Sequence, residues 1–132
     1  MSLLSENIFQ AVDYLVIPVI PTSLSIQTFK QVRKYLHQHV PHPAHIIPFF
    51  SMVDGRKALH RNIMENFGPR ANFCKALIPS RSVIEQMGIH RQPLPVFSSD
   101  SEATREYHAL WNEIKERIQQ CKSLDEMMSA RI

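Results

Sequence analysis

The sequence predicts an α/β domain: a parallel sheet of about three strands flanked by helices in a three-layer arrangement. Two observations carry this. The runs Tyr14 to Ile20 and Ile46 to Val53 are apolar on both faces and rich in β-branched or aromatic residues, as strands covered by helices on both sides require. Amphipathic segments stand before, between and after these runs, and strand–helix alternation of this kind builds parallel sheets through right-handed crossovers.

The elements follow in order. Leu4, Ile8, Ala11 and Val12 lie at helical spacing and predict an opening helix. Tyr14 to Ile20 is the first strand, with Pro18 marking a bulge or the strand's end, because proline cannot donate to a ladder. Hydroxyl caps in Pro21-Thr22-Ser23-Leu24-Ser25 precede a helix over about 25–39, with Ile26, Phe29, Val32, Leu36 and Val40 on one face and Lys30, Arg33, Lys34 and His37 on the other. Pro41-His42-Pro43 ends that helix, and the second strand runs over about 45–53. Leu59, Ile63 and Phe67 recur every four residues and predict a helix packed on the sheet until Gly68-Pro69. Cys74 to Ile78 reads as a short third strand, Ser82 to Glu85 as a capping box with Gly88 as terminator, and Pro93 to Phe97 as extended chain. Ser99 is the expected cap of the next helix because Glu102 lies three residues later. That helix carries Ala103, Tyr107, Leu110, Trp111, Ile114 and Ile118 on one stripe, with Tyr107 and Trp111 as core, and Ser123-Leu124-Asp125-Glu126 caps a last short helix that frays over 123–132.

With 132 residues, 44% hydrophobic and 20% charged, the chain has the composition of one globular domain. It contains no apolar run of roughly 18 residues and no signal-peptide pattern, so a cytoplasmic location without membrane contact is expected. Cys74 and Cys121 lack metal-type spacing and are expected as reduced thiols. Residues 1–97 carry ten Lys/Arg against five Asp/Glu, and residues 98–132 carry five against seven. The basic first part suits the phosphates of a nucleotide or, more weakly, of DNA. Two prolines split His37, His39, His42 and His45, and no cysteine or paired carboxylate completes a ligand set, so no metal is expected. Neither Ser51 nor Cys74 has a base and orienting acid evident nearby in sequence, which leaves a hydrolase triad unsupported.

The stretch Ile46-Ile47-Pro48-Phe49-Phe50-Ser51-Met52-Val53-Asp54-Gly55-Arg56-Lys57-Ala58-Leu59-His60 has the form of a strand emptying into a loop and a basic helix, the place where open α/β sheets hold ligands. Together with Asp13 to Ser25, Ile78-Pro79-Ser80 and Tyr107 to Trp111 it resembles the ParA/MinD group of P-loop partition ATPases, over their C-terminal half only. The resemblance implies a parent that binds ATP and Mg²⁺, dimerises around nucleotide and positions DNA or other cargo. In such relatives the loops matching Met52, Asp54, Pro79 and Ser80 flank the adenine, with Asp54 accepting from the exocyclic amine and Met52 and Pro79 supplying apolar faces. Arg81 and Arg91 fall where relatives can carry DNA-contacting residues. The local alternatives are a turn and helix cap at Asp54-Gly55, a core position for Met52 and a strand terminator at Pro79.

A P-loop enzyme grips phosphate with a Gly-rich turn, a lysine and a hydroxyl. The chain has only the isolated Gly55, Gly68 and Gly88 and no Gly-Lys-Ser/Thr, and it begins after the position of the relatives' Mg²⁺-side aspartate. No bound cofactor and no unaided ATP hydrolysis are therefore expected. Arg56, Lys57, His60 and Arg61 are expected on one helical surface, where cations near a helix start call for an anion or an acidic partner. Arg81 joins them as a candidate for such contact. Tyr14 to Ile20 is expected to present a bare sheet edge, covered by self-association across a two-fold axis or by a separate N-terminal half. The alternative function is a non-catalytic protein-interaction module derived from the same fold.

Overall fold

The computed structural model describes residues 3–99 and 101–130. The chain is mixed α/β, with helices on both faces of a two-stranded parallel sheet. Helix α1 (Leu3–Ala11) leads into strand β1 (Tyr14–Val19), helix α2 (Ser23–His39) crosses over, and strand β2 (His45–Phe50) returns beside β1. Helix α3 (Ala58–Asn66), a 3-10 turn (Pro69–Ala71), helices α4 (Ser82–His90) and α5 (Leu94–Phe97), and the long helix α6 (Glu102–Ser129) complete the order. Among the described residues no helix is long and apolar enough to cross a membrane.

Strand register explains how both faces come to be buried. Tyr14 pairs with His45 and Val19 with Phe50, so alternate side chains divide between two apolar clusters. Val19, Phe50 and Val53 meet Ile26 and Phe29 of α2 and Phe73, with Ile63, Met64 and Phe67 of α3 and its end alongside. On the other face Ile47 and Ile78 meet Leu110 and Ile114 of α6. Pro48 is tolerated inside β2 because its C=O points away from β1 and accepts the Cys74 N–H at 2.8 Å.

The expected third strand does not form as one. Residues 74–80 run beside β2 in the parallel sense, but pair with it only through the bridge between Val53 and Pro79. Ile78 N–H reaches Phe50 C=O (2.9 Å), Val53 N–H reaches Ile78 C=O (3.1 Å) and Ser80 N–H reaches Val53 C=O (2.9 Å). An even ladder would use Ser51 C=O in place of Phe50. The extra residue is absorbed at Met52, whose φ of +52° turns the backbone out of the strand. The same left-handed turn ends β2 at Phe50 and makes Met52 exposed, so it is no core residue.

Several helix details correct the sequence expectation. In α3 the inward residues are His60, Ile63, Met64 and Phe67, while Leu59 is exposed, because the helix starts only at Ala58 and its apolar face is set one residue later than the four-residue recurrence suggests. Ser82 does not cap α4; Arg81 holds the cap position without a side-chain bond, and the helix runs through Gly88 to stop at Arg91, itself left-handed at φ 50°. Pro93 to Phe97 is not extended: Leu94–Phe97 is a helical turn with Leu94 buried. Helix α6 is capped by Ser101, whose Oγ accepts the Thr104 N–H at 3.2 Å, and not by Ser99. Glu102, needed for a box with Ser99, turns to Arg81 instead (3.3 Å). Trp111 is exposed, and Thr104 takes the buried place next to Ala103. No breaker interrupts Ser123 to Glu126, so α6 continues to Ser129 without the separate final helix.

Gly68 is the glycine the packing demands. A Cβ there would stand 2.7 Å from the Met64 carbonyl oxygen and 3.0 Å from the Phe50 ring. Its absence lets the chain turn tightly after α3 and bring Phe73 onto Phe50 as a stacked pair 4.2 Å apart.

Helix α6 also fastens the segment that follows. Glu113 accepts the N–H groups of Lys75 (2.9 Å) and Ala76 (2.8 Å), and Arg117 donates to the carbonyls of Asn72 (2.6 Å) and Phe73 (2.9 Å). The two side chains meet at 3.2 Å. Four residues apart on α6, Glu113 and Arg117 thus form a clip on the backbone of residues 72–76.

Candidate functional site

The rim at the C-terminal end of the strands is built by two loops. The first, 51–57, leaves β2 through the left-handed Met52 and turns around Asp54. The Asp54 carboxylate accepts the Arg56 N–H and is gripped by the Arg56 guanidinium, Nε to Oδ1 and Nη2 to Oδ2, each at 3.1 Å. Its C=O accepts the Lys57 N–H at 3.0 Å. These are the bonds of an Asx turn opening a helix. The guanidinium fork, followed by the Arg56 amide, holds the Asp54 carboxyl down to about 2, so it is ionised at any physiological pH.

Beneath the loop lies His60. It is buried at 4% exposure and its Nδ1 accepts the Asp54 N–H at 3.0 Å. That bond requires Nδ1 to carry no proton, and the imidazole props the turn from below. His60 therefore leaves the basic surface on which it was expected with Arg56, Lys57 and Arg61, a consequence of the shifted phase of α3. Arg61 closes the turn from above, donating to Gly55 C=O at 2.6 Å. Lys57 stands at the start of α3, exposed.

The second loop, 79–81, is brought to the first by the Val53–Pro79 bridge. The bridge places Met52 and Asp54 on one strand end beside Pro79 and Ser80 on the other. Met52 offers an exposed thioether side chain, Pro79 a half-buried ring and Ser80 an exposed hydroxyl. Arg81 belongs to a different contact: its guanidinium forks onto Glu106 of α6 at 2.7 and 3.1 Å and touches Glu102. It ties the start of α4 to α6 and is not offered to an outside anion. Arg91 forms the left-handed end of α4.

The four residues that the family resemblance singled out thus share one rim, together with Arg56, Lys57 and Arg61. The rim can offer apolar contact, a hydroxyl, a carboxylate and cations. The carboxylate is not idle, since Arg56 occupies both of its oxygens. The Arg56 side chain is 93% exposed and that of Asp54 22%, so the pair is open to water on its guanidinium side. Apolar, polar and charged side chains thus meet on one surface. They supply no Gly-rich phosphate cradle, and among the described residues no group of three His, Cys, Asp or Glu converges on a metal position. His60 was legible as a helix residue but not as the prop of the turn; the only signal was its place six residues after Asp54, one turn into a helix that the loop precedes.

Cys74 is buried, and burial pushes its thiol up to about 11, which makes it an inert packing group. His45 stacks on Tyr14 and faces Asp125 at 3.8 Å, and His39 lies against Tyr35, so these two histidines of the 37–45 group have separate neighbours. No family model matches the chain, and no curated protein matches it.

Proposed function

We propose that the chain is the C-terminal half of a ParA/MinD-like partition ATPase core, non-catalytic by itself, whose rim at Met52, Asp54, Pro79 and Ser80 receives the base and ribose of ATP. In this reading residues 74–80 are the third strand of a P-loop-type sheet, loosened at Met52. Phosphate and Mg²⁺ would be held by parts of the parent outside this chain, and the parent would position DNA or other cargo.

The observation that supports the reading most is the parallel bridge between Val53 and Pro79, which joins the two loops at the strand ends, where open α/β sheets take ligands. Asp54 would exchange Arg56 for the exocyclic amine, while Met52 and Pro79 sandwich the base. The test is an NMR titration with AMP and with ATP–Mg²⁺. Shifts confined to the amides of Met52, Asp54, Gly55 and Ser80, similar for both ligands, are expected. Absence of any shift at these amides with either ligand at millimolar concentration would end the proposal.

One observation favours a second reading, a non-catalytic interaction module. Asp54 is already satisfied by Arg56, and Arg81 by Glu106, so the rim is complete without ligand. In that case Arg56, Lys57 and Arg61 face an acidic partner, and nucleotide leaves the melting temperature unchanged.

A further inference from the structure

The open side of β1 has a donor and acceptor pattern that matches itself. The bonds from His45 N–H to Asp13 C=O and from Ser51 N–H to Val19 C=O fix the phase of the β1–β2 ladder. Asp13, Leu15, Ile17 and Val19 turn their backbone groups to β2, and Tyr14, Val16, Pro18 and Ile20 turn theirs outward. Pro18 has no N–H, and its missing donor falls on this outer side. The Ile20 C=O is taken by Thr22 N–H at 2.7 Å, whereas the outward groups of Tyr14 and Val16 have no partner among the described residues.

We propose that a second copy of this chain pairs with this edge, antiparallel, about a two-fold axis passing beside Val16. In that register the two Val16 residues exchange both of their bonds. Each Tyr14 N–H meets the Pro18 C=O of the other copy, and each Ile20 N–H faces a Val12 C=O. No donor on the edge is wasted; each Tyr14 C=O, facing the Pro18 ring nitrogen that has no hydrogen to give, is left to water. Moving the axis to Pro18 would place two donorless residues opposite each other. Moving it to Leu15 would call on Val12 N–H, which Ile8 C=O already holds at 3.2 Å.

Side chains around the edge agree. Val16, Pro18 and Leu24 are exposed, and an apolar groove of about 320 Å³ lies between the end of β1 and α2, walled by Ile17, Leu24, Phe29 and Val32. Helix α1 sits at the other end of β1. Phe9 faces Tyr35 of α2 with ring centroids 6.2 Å apart, so at about 100° per residue Leu4 points about 140° and Ile8 about 100° away from that contact, and both are exposed. An antiparallel dyad brings the α1 of one copy over the groove of the other. Leu3, Leu4, Ile8, Val16 and Leu24 expose the equivalent of about three whole aliphatic side chains per copy, and with the strand pair this comes to the order of the 1,200 Å² at which specific interfaces begin. The proposal is independent of the nucleotide reading, since it uses the open strand edge and not the rim.

Sedimentation of the 132-residue chain gives its oligomeric state, with a dimer expected, and cysteine cross-linking gives the register. In a Cys121→Ser background, Val16→Cys should link to itself on mild oxidation, because bonded pairs in antiparallel strands have Cα atoms about 5.5 Å apart, within disulfide reach. Leu15→Cys and Ile17→Cys should link to each other in a mixture and neither to itself. Val16→Lys sets like charges side by side and should weaken the dimer about tenfold or more with unchanged circular dichroism; Val16→Pro, which removes both central donors, should do the same if it folds. A monomer at high micromolar concentration, including one whose edge fills only when a different polypeptide is added, overturns the proposal. So does self-linking of Ile17→Cys as efficient as that of Val16→Cys, or an undiminished Val16→Lys dimer.

Discussion

Replacing Glu113 by alanine should destabilise the chain by freeing the backbone of residues 72–76. The carboxylate accepts two backbone N–H groups, of Lys75 and Ala76, and meets Arg117. Hydrogen bonds to a charged acceptor are each worth about 1.5–3 kcal/mol. The Lys75 amide is exposed and recovers a water, so the Ala76 bond dominates, and Arg117 keeps its two carbonyl partners. The net loss should be about 2–3 kcal/mol, which for a chain of this size lowers Tm by roughly 6–12 °C. Urea unfolding followed by circular dichroism reads it directly. Glu113→Gln should fall between, because the amide carbonyl accepts one N–H while its NH₂ confronts the other. The pH dependence gives a second check. Burial pushes the Glu113 carboxyl up, but the Ala76 and Lys75 amides and then Arg117 outweigh it and hold it below its usual 4.5. A carboxyl depressed on folding stabilises above its unfolded value, and that stability disappears as pH falls through the folded one. The stability gap between wild type and Glu113→Gln should therefore be full at neutral pH and close below about pH 4.5. A Glu113→Ala protein within about 0.5 kcal/mol of wild type, the scatter of ordinary surface changes, would refute the clip. So would a gap that ignores pH.

Gly68→Ala should destabilise by about 1–3 kcal/mol in the same unfolding assay, since its methyl group meets a backbone carbonyl and a packed ring that cannot both withdraw. Ser101→Ala should cost about 1 kcal/mol while Ser99→Ala costs almost nothing, a comparison that locates the cap of α6 by stability alone. NMR titration should place the Asp54 carboxyl near 2, and Arg56→Ala should return it toward 3.8; an unmoved midpoint would show that the fork does not persist in solution.

Strands β1 and β2 were legible because apolar residues on both faces leave a buried strand as the economical solution, and α2 because its apolar face keeps one period from Ile26 to Val40. The third strand was not, because Cys74 to Ile78 has strand composition and nothing in Met52 announces a left-handed backbone that throws the ladder out of step. At Ser98 to Ser101, several hydroxyls competed for one cap; the buried Thr104, held by Ser98 C=O and Ser101 Oγ, decided it through packing. Trp111 shows the limit of periodicity, since a residue on the edge of an apolar stripe faces solvent wherever the sheet beneath is too narrow to cover it. At the candidate site, the meeting of the Asp54 and Pro79 loops was expected from the family resemblance. The engagement of Arg81 by Glu106 depends on contacts 25 residues apart and left no local trace.

The grip of α6 on residues 72–76 also orders events in time. Those amides and carbonyls find their side-chain partners some 40 positions downstream, so during synthesis residues 72–76 have only their backbone bonds and the Phe73 stack to hold them beside β2 until the middle of α6 has left the ribosome. Nascent chains halted before Glu113 should be cut readily by protease around Lys75, and chains extended past Arg117 should resist, with α2 and the first two strands already protected in both.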